Sequence, residues 1–366
     1  MPKPLSSAIG IDLGQHSLKA VHLQRKGRDK QLHLTAFASR VVGDGALGNA
    51  EQLAHHLKLL LKDLGVSTRA YAIAVSSPQN LLRIIEQPPT PTKILREALR
   101  LHGLTWLNQD CKDFVLDCDM IPEASGANGH AADHGHGEDG AAPDHAAQNG
   151  PKQFRYLVGG LPRTLIEQID EACVKCKLPL TKLQIGPIAN YNAFESSLPE
   201  VFAKEAFMLV DIGHLETRVF VGSRKELVLV RSVEYGGRTF LDAVSHDGAI
   251  ERDAAITLVE QGDAGMTDTA RESLSGLAHE LRSSIGFFEG QREQVLHRVH
   301  FSGALVNAEM PLQILSDELE MPCDTWDPFV ACTVSLPKSR QGYFDAERAH
   351  LNVACGAALE LLQTDD

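Results

Sequence analysis

One pattern occurs twice in the chain. Residues 9–21 read IGIDLGQHSLKAV and residues 209–221 read LVDIGHLETRVFV. Each runs from an apolar strand through Asp-x-Gly and a short turn into a strand that mixes a basic residue with apolar ones. Asp12 pairs with Asp211, Gly14 with Gly213 and Lys19 with Arg218. Such an echo predicts two copies of one supersecondary unit, one opening each half. A strand–turn–strand can aim successive backbone N–H groups at phosphate oxygens. The glycine lets backbone approach an anion without a Cβ clash. The Asp at the strand end is placed to hold magnesium or its waters. Either copy alone reads as an ordinary hairpin turn; two in matching context predict facing loops that clamp one triphosphate.

The rest of the chain fits two lobes. Strands are expected at 8–13, 18–23, 32–38 and 71–75. Leu53, Leu57, Leu60, Leu61 and Leu64 fall at helical spacing, with Gly65 as a stop. Pro88, Pro89 and Pro91 mark a boundary. Beyond it come a helix at 93–102, strands at 114–120 and 154–159, a helix at 164–176, a strand at 182–185 and a helix at 188–198 entered at Pro187. His102, beside Gly103, reads as a helix end. Residues 123–150 hold almost no large apolar side chains, so a disordered loop is expected there. The second half reads as strands at 207–212, 217–221 and 226–233, a helical stretch at about 239–294, a strand at 299–301 and helices at 312–319 and 351–362. The expected domains are 1–86 with 186–204, an inserted subdomain at 87–185, and 205–366.

A net charge of −13 argues against a nucleic-acid partner held through its phosphates, and against direct docking on anionic lipid. No stretch approaches the roughly 18 apolar residues of a membrane span, and no secretory signal is visible. Seven irregularly spaced cysteines suit a reducing compartment, so a cytoplasmic protein without membrane insertion is expected. Cys173 and Cys176 match CxxC but have no partner pair, and two ordinary cysteines are the simpler reading. His130, His134, His136 and His145 lie in the linker at 123–150, where nothing fixes a coordination geometry.

The two loops, followed by FSGAL (301–305), resemble the phosphate-1, phosphate-2 and adenosine motifs of the actin-like ATPase superfamily. The opening IGIDLGQHSLKAVHL, the run LVLVRSVEYGGRTFLDAV (227–244), HELRSSIGFFEG (279–290) and the closing LNVACGAALELL (351–362) narrow it. Together they resemble the type IV pilus assembly PilM family, related to the cell-division protein FtsA. That resemblance implies an α/β, actin-like (ribonuclease H-like) two-lobed fold with a small αβ subdomain inserted in the first lobe. It places Asp12, Gly14, Gln15, His16 and Ser17 in the first phosphate loop, with Lys19 within reach of a phosphate. It places Asp211, Gly213, His214, Glu216 and Thr217 in the second loop, and Gly236 and Gly237 near the phosphates. Glu280 with Ser283 or Ser284 would lie near the ribose, and Gly303 and Ala304 at the adenine. ATP and Mg2+ are the implied cofactors, the ion held by Asp12 and Asp211, through water.

The implied role is a scaffold at the inner membrane that binds the cytoplasmic tail of a PilN-like bitopic protein in a groove of the first lobe. Self-association into a homo-oligomer is left open. The chain departs from the family at His16, where a small hydroxyl residue is common, and at Leu305 in a loop that is usually richer in glycine. No Gln or Asp in the 188–198 helix is placed to orient an attacking water, so at most slow ATP turnover is expected. A sugar-kinase-like phosphotransferase and a type II secretion assembly module are the alternatives.

Overall fold

The computed structural model describes residues 5–27, 30–43, 48–122, 153–246 and 249–363. The expected loop at 123–150, with its four histidines, lies outside them. Ser7–Leu13 (β1), Ser17–Lys26 (β2) and Gln31–Val41 (β3) form an antiparallel meander. Ala50–Leu64 (α1) leads into Tyr71–Val75 (β4), parallel to β1. The sequence writes α1 plainly: the Asn49 side chain accepts from the Gln52 N–H at 2.8 Å, and Gly65 closes the helix at φ 72°.

Next come Leu81–Gln87 (β5), Thr92–Leu107 (α2), Phe114–Met120 (β6) and Phe154–Pro162 (β7). These strands form a separate three-stranded sheet ordered β5-β7-β6. The α2 helix kinks at His102 but continues to Leu107, because Leu99, Gly103 and Leu107 keep burying one face. Arg163–Cys176 (α3) and Leu180–Ile185 (β8) return to the first lobe, where β8 pairs in parallel with β4. Leu165, Ile169 and Ala172 of α3 share a core with α1. The insertion therefore covers the three-stranded sheet and α2, and ends before the expected residue 185.

Gly186–Ser197 (α4) and Pro199–Lys204 (α5) lead to the second unit: Ala206–Ile212 (β9), Thr217–Ser223 (β10) and Glu226–Val233 (β11). Gly237–Val244 (α6), Arg252–Glu260 (α7) and Ala264–Arg292 (α8) supply the helical stretch. Val299–Gly303 (β12), Glu309–Leu319 (α9) and Cys323–Thr325 (β13) complete the second sheet. Thr333–Val334 (β14), Lys338–Glu347 (α10), a 3-10 turn at Arg348–His350 and Asn352–Gln363 (α11) close the chain.

The two large sheets repeat one topology, β3-β2-β1-β4-β8 and β11-β10-β9-β12-β13, with β14 added beside β3. The echo in sequence is thus an echo in register: Asp12 lies across from Lys19, and Asp211 across from Arg218. One expectation needs correction. The stretch 205–366 does not stay in the second lobe, because β14 pairs with β3 and α11 packs on the first sheet. Conversely, Ala193 and Phe194 of α4 pack with Phe207, Leu209 and Phe220 of the second sheet. α11 is apolar on nearly every side and α4 is buried along most of its length, so each lies between the sheets rather than on the outside of its own.

Candidate functional site

Alternation along the strands builds the cleft floor. Ile9, Ile11 and Leu13 of β1 face the core under α1 and α3, so Ala8, Gly10 and Asp12 face α11. On β9, Met208, Val210 and Ile212 face the helical core, while Phe207, Leu209 and therefore Asp211 face α4. The two strand-end carboxylates meet where α4 and α11 cross. Asp12 accepts from Ser76 Oγ at 3.0 Å and pairs with Lys19 Nζ at 3.3 Å.

Asp211 accepts from Ser302 Oγ at 2.8 Å and from Asn352 Nδ2 at 3.4 Å. Asn352 also donates to Asn190 Oδ1 at 2.7 Å, and Asn190 donates to Ser302 Oγ at 3.2 Å. Burial raises the proton affinity of Asp211, with the Asp12 charge adding to it; the Ser302 bond, the Lys19 charge and the Asn352 bond oppose. Burial, and then the Lys19 charge, lower the His350 imidazole to about 4, against a hydrogen bond to the Gly303 backbone. Sequence reasoning missed Asn190, Ser302, His350 and Asn352.

The two loop tips meet above this floor. The rings of His16 and His214 stack with centroids 4.5 Å apart and planes 19° apart. Gln15 Nε2 donates to Ser76 O at 3.3 Å. In the second loop, the Gly213 N–H donates to Glu216 O at 2.9 Å. The N–H groups of Gly237 and Arg238 donate to Gly213 O and His214 O, each at 2.9 Å. A Cβ on Gly236 would lie 2.4 Å from His214 O, and one on Gly237 2.6 Å from the Ala304 Cβ. Gly303, at φ 96°, lets the Ala304 N–H reach Ile212 O at 2.6 Å. Gly213, His214, Gly236, Gly237, Gly303 and Ala304 therefore gather in one place.

Other expected residues turn elsewhere. Arg218 donates to Glu216 through Nε at 3.0 Å and to Asn80 O at 3.3 Å. Glu216 also accepts from Ser232 Oγ at 2.7 Å. Thr217 is fully buried and donates to Tyr235 O at 2.7 Å. Glu280 and Ser284 engage Arg231 of β11, at 2.7 and 3.3 Å, and Ser283 is exposed. Ser17 sits at the start of β2, across from Val41.

The donor set suits a hard cation. Asp12 and Asp211 offer carboxylate oxygens, and a divalent ion between them relieves their mutual repulsion. Among the described residues no group of three or more His, Cys, Asp or Glu forms a metal cage, so phosphate and water would supply the remaining ligands.

A second feature lies apart from the cleft. A groove of 770 Å³ runs between the inserted sheet and β8, the edge strand of the first sheet. Val115 and Leu116 of β6, Leu157 and Leu161 of β7, and Leu183 and Gln184 of β8 line it. Its polar lining includes Lys182 paired with Glu360, which also accepts from Asn192 at 3.0 Å, and Arg96 paired with Asp117. A smaller recess of 360 Å³ lies between α8 and α9. Neither shares a residue with the two loops.

The family model of the type IV pilus assembly protein PilM matches residues 151–362, more than half of the chain. The chain belongs to the PilM family. A solved PilM-PilN type IV pilus biogenesis complex is similar over 99% of this chain and 100% of that one, at 22% identity and a TM-score of 0.76. The ethanolamine utilization protein EutJ from Carboxydothermus hydrogenoformans aligns over 98% and 91%, at 13% identity and TM-score 0.54. A diol dehydratase-reactivating factor aligns over 98% and 100%, at 8% identity and TM-score 0.52. No curated protein matches by sequence. These likenesses show an actin-like two-lobed α/β fold.

Proposed function

We propose that this PilM-family chain is a cytoplasmic scaffold that holds ATP and magnesium between its lobes and docks at the inner membrane through the cytoplasmic tail of a PilN-like protein. Among the described residues no helix is long and apolar enough to cross a membrane, and membrane attachment is assigned to the partner. The observation that carries the docking half is the groove beside β8. An extended peptide entering it meets an edge strand with an open row of backbone groups and apolar walls. Lys182 with Glu360 and Asn192, and Arg96 with Asp117, supply polar contacts for the peptide. The nucleotide half rests on the facing Asp12 and Asp211 and on the glycines gathered at the second loop. Asn190, the α4 side chain at the cleft floor, is an amide bound to Ser302 and Asn352 and is no base, so ATP turnover is at most slow.

The test is the affinity of a fluorescently labelled peptide of the PilN-like cytoplasmic tail. Val115 is 43% exposed and lines the groove, so Val115→Glu should weaken binding about tenfold or more while the unfolding midpoint stays put. Equal affinity in wild type and variant would move the tail to another surface.

A further inference from the structure

We propose that the outward face of α2 is a contact for the bilayer surface, made once the partner's tail has tethered the chain there. The inference rests on the docking reading above and adds what the inserted subdomain touches beyond the groove. A surface helix needs one apolar stripe, and α2 has two. Leu95, Leu99, Gly103 and Leu107 turn inward on the core of the inserted subdomain. Ile94, Leu101 and Leu104, spaced i, i+7 and i+10, share a second stripe and stand 60%, 82% and 69% exposed. Among the described residues no large apolar side chain is more exposed than Leu101. Val115 and Met120 of the neighbouring β6 are exposed as well, so apolar exposure concentrates in the subdomain that walls the groove.

Three features favour lipid as the cover for this stripe. Thr92 and Arg96 of α2 line the groove, so a tail seated there and anchored in a bilayer holds α2 beside that bilayer. Lys93, Arg96 and Arg100, at i, i+3 and i+7, form a basic flank along the helix, and Glu97 is its one acidic residue. An apolar stripe with a basic flank suits the boundary between headgroups and acyl chains. Arg96 pairs with Asp117 at 2.5 Å and Arg100 with Glu97 at 3.9 Å, but all four side chains are exposed, so these pairs hold weakly against a headgroup phosphate. A second copy fits less well. Three side chains fall short of the roughly 800 Å² per partner of a stable interface. Pairing two β6 edges would also bring the Asp117 and Asp119 of both copies together. The net charge of −13 keeps the untethered chain off anionic lipid, so the contact forms only at the high local concentration that the tail provides.

The full-length chain is floated with vesicles of phosphatidylethanolamine and phosphatidylglycerol that carry the PilN-like tail as a lipid-anchored peptide. It is compared with a Leu101→Glu, Leu104→Glu double variant, and both are titrated with the same tail as a soluble peptide. The variant should bind the tail-bearing vesicles about tenfold more weakly and the soluble peptide equally well. Equal soluble-peptide affinity and an unchanged unfolding midpoint report that the variant is folded. Equal vesicle affinity in the two proteins overturns the lipid contact and leaves the docking reading intact. An equal loss with soluble peptide also overturns it, by assigning the stripe to the tail itself. A wild type that sediments as a dimer beside a monomeric variant overturns it in favour of a second copy. No binding of soluble tail by the wild type overturns the docking reading and this inference with it.

Discussion

Burial and the facing Asp12 charge make the folded chain hold the Asp211 proton more tightly than the unfolded chain does. The linkage has a definite sign. A carboxyl whose folded value is raised loses stability as pH climbs from its unfolded value, about 4, through the folded one, and the cost persists above it. Asp211→Asn keeps an Oδ1 acceptor for Ser302 and Asn352 and removes the buried charge. Urea unfolding at pH 7 should therefore find the variant more stable, by about 1 kcal/mol, with the gain disappearing below about pH 4. Magnesium-dependent ATP binding should be lost in the same variant. A variant less stable than wild type at pH 7 would mean that the Asp211 charge is compensated in the free cleft. Asp12, Asp211 and the loop glycines were legible because they stand in a repeated pattern. Asn190 and His350 were not, because each is a single polar residue far from the loops in sequence; Ser302 and Asn352 stand inside the matched stretches 301–305 and 351–362, but nothing in those stretches marks their side chains as partners of Asp211. The available signal was an asparagine at the head of α11, a helix otherwise apolar on nearly every side.

Those two helices set the spacing of the lobes. A Cβ on Gly356 of α11 would sit 1.7 Å from the Ala189 carbonyl oxygen of α4, and one on Gly10 of β1 would sit 2.0 Å from Ala354 O. Backbone lies against backbone at both places, so a methyl group can be accommodated only by moving a whole helix. Gly356→Ala should push α4 and α11 apart, strain the Asn190–Asn352 contact, and cost roughly 3 kcal/mol or more by urea denaturation. A change within about 0.5 kcal/mol would show that the crossing can slide.

The same elements mark where sequence reading stops. β1, β4, α1 and β11 were legible because period, caps and stop residues all agree locally. The packing of α11 on the first sheet was not, since a helix buried along nearly its whole length carries no stripe to say which sheet it faces. β14, with two residues, is too short to show any period.

At the scale of the molecule, two polar junctions link the cleft to the groove. Arg218, tied to Glu216 of the β9–β10 loop, donates to Asn80 just ahead of β5, the first strand of the inserted sheet. Glu226 of β11 is buried and takes Arg155 of β7 at 2.8 Å and Arg292 at the end of α8. Residues of β7 beyond Arg155 line the groove, so one ion triad joins the inserted sheet, the second sheet and the long helix. A ligand that draws the lobes together must load these junctions, and the orientation of the inserted sheet changes with them. Saturating Mg–ATP should therefore change tail-peptide affinity by about fivefold or more, a coupling on the order of 1 kcal/mol. Glu226→Gln keeps the shape but removes the charge that holds both arginines, so the variant should bind ATP and peptide separately while losing most of the coupling. Reciprocity supplies the check: peptide must shift ATP affinity by the same factor in wild type and by little in the variant. Coupling that survives in Glu226→Gln would move the linkage to the Arg218–Asn80 contact. Its absence from wild type would mean that the groove and the cleft act as independent sites on one rigid scaffold.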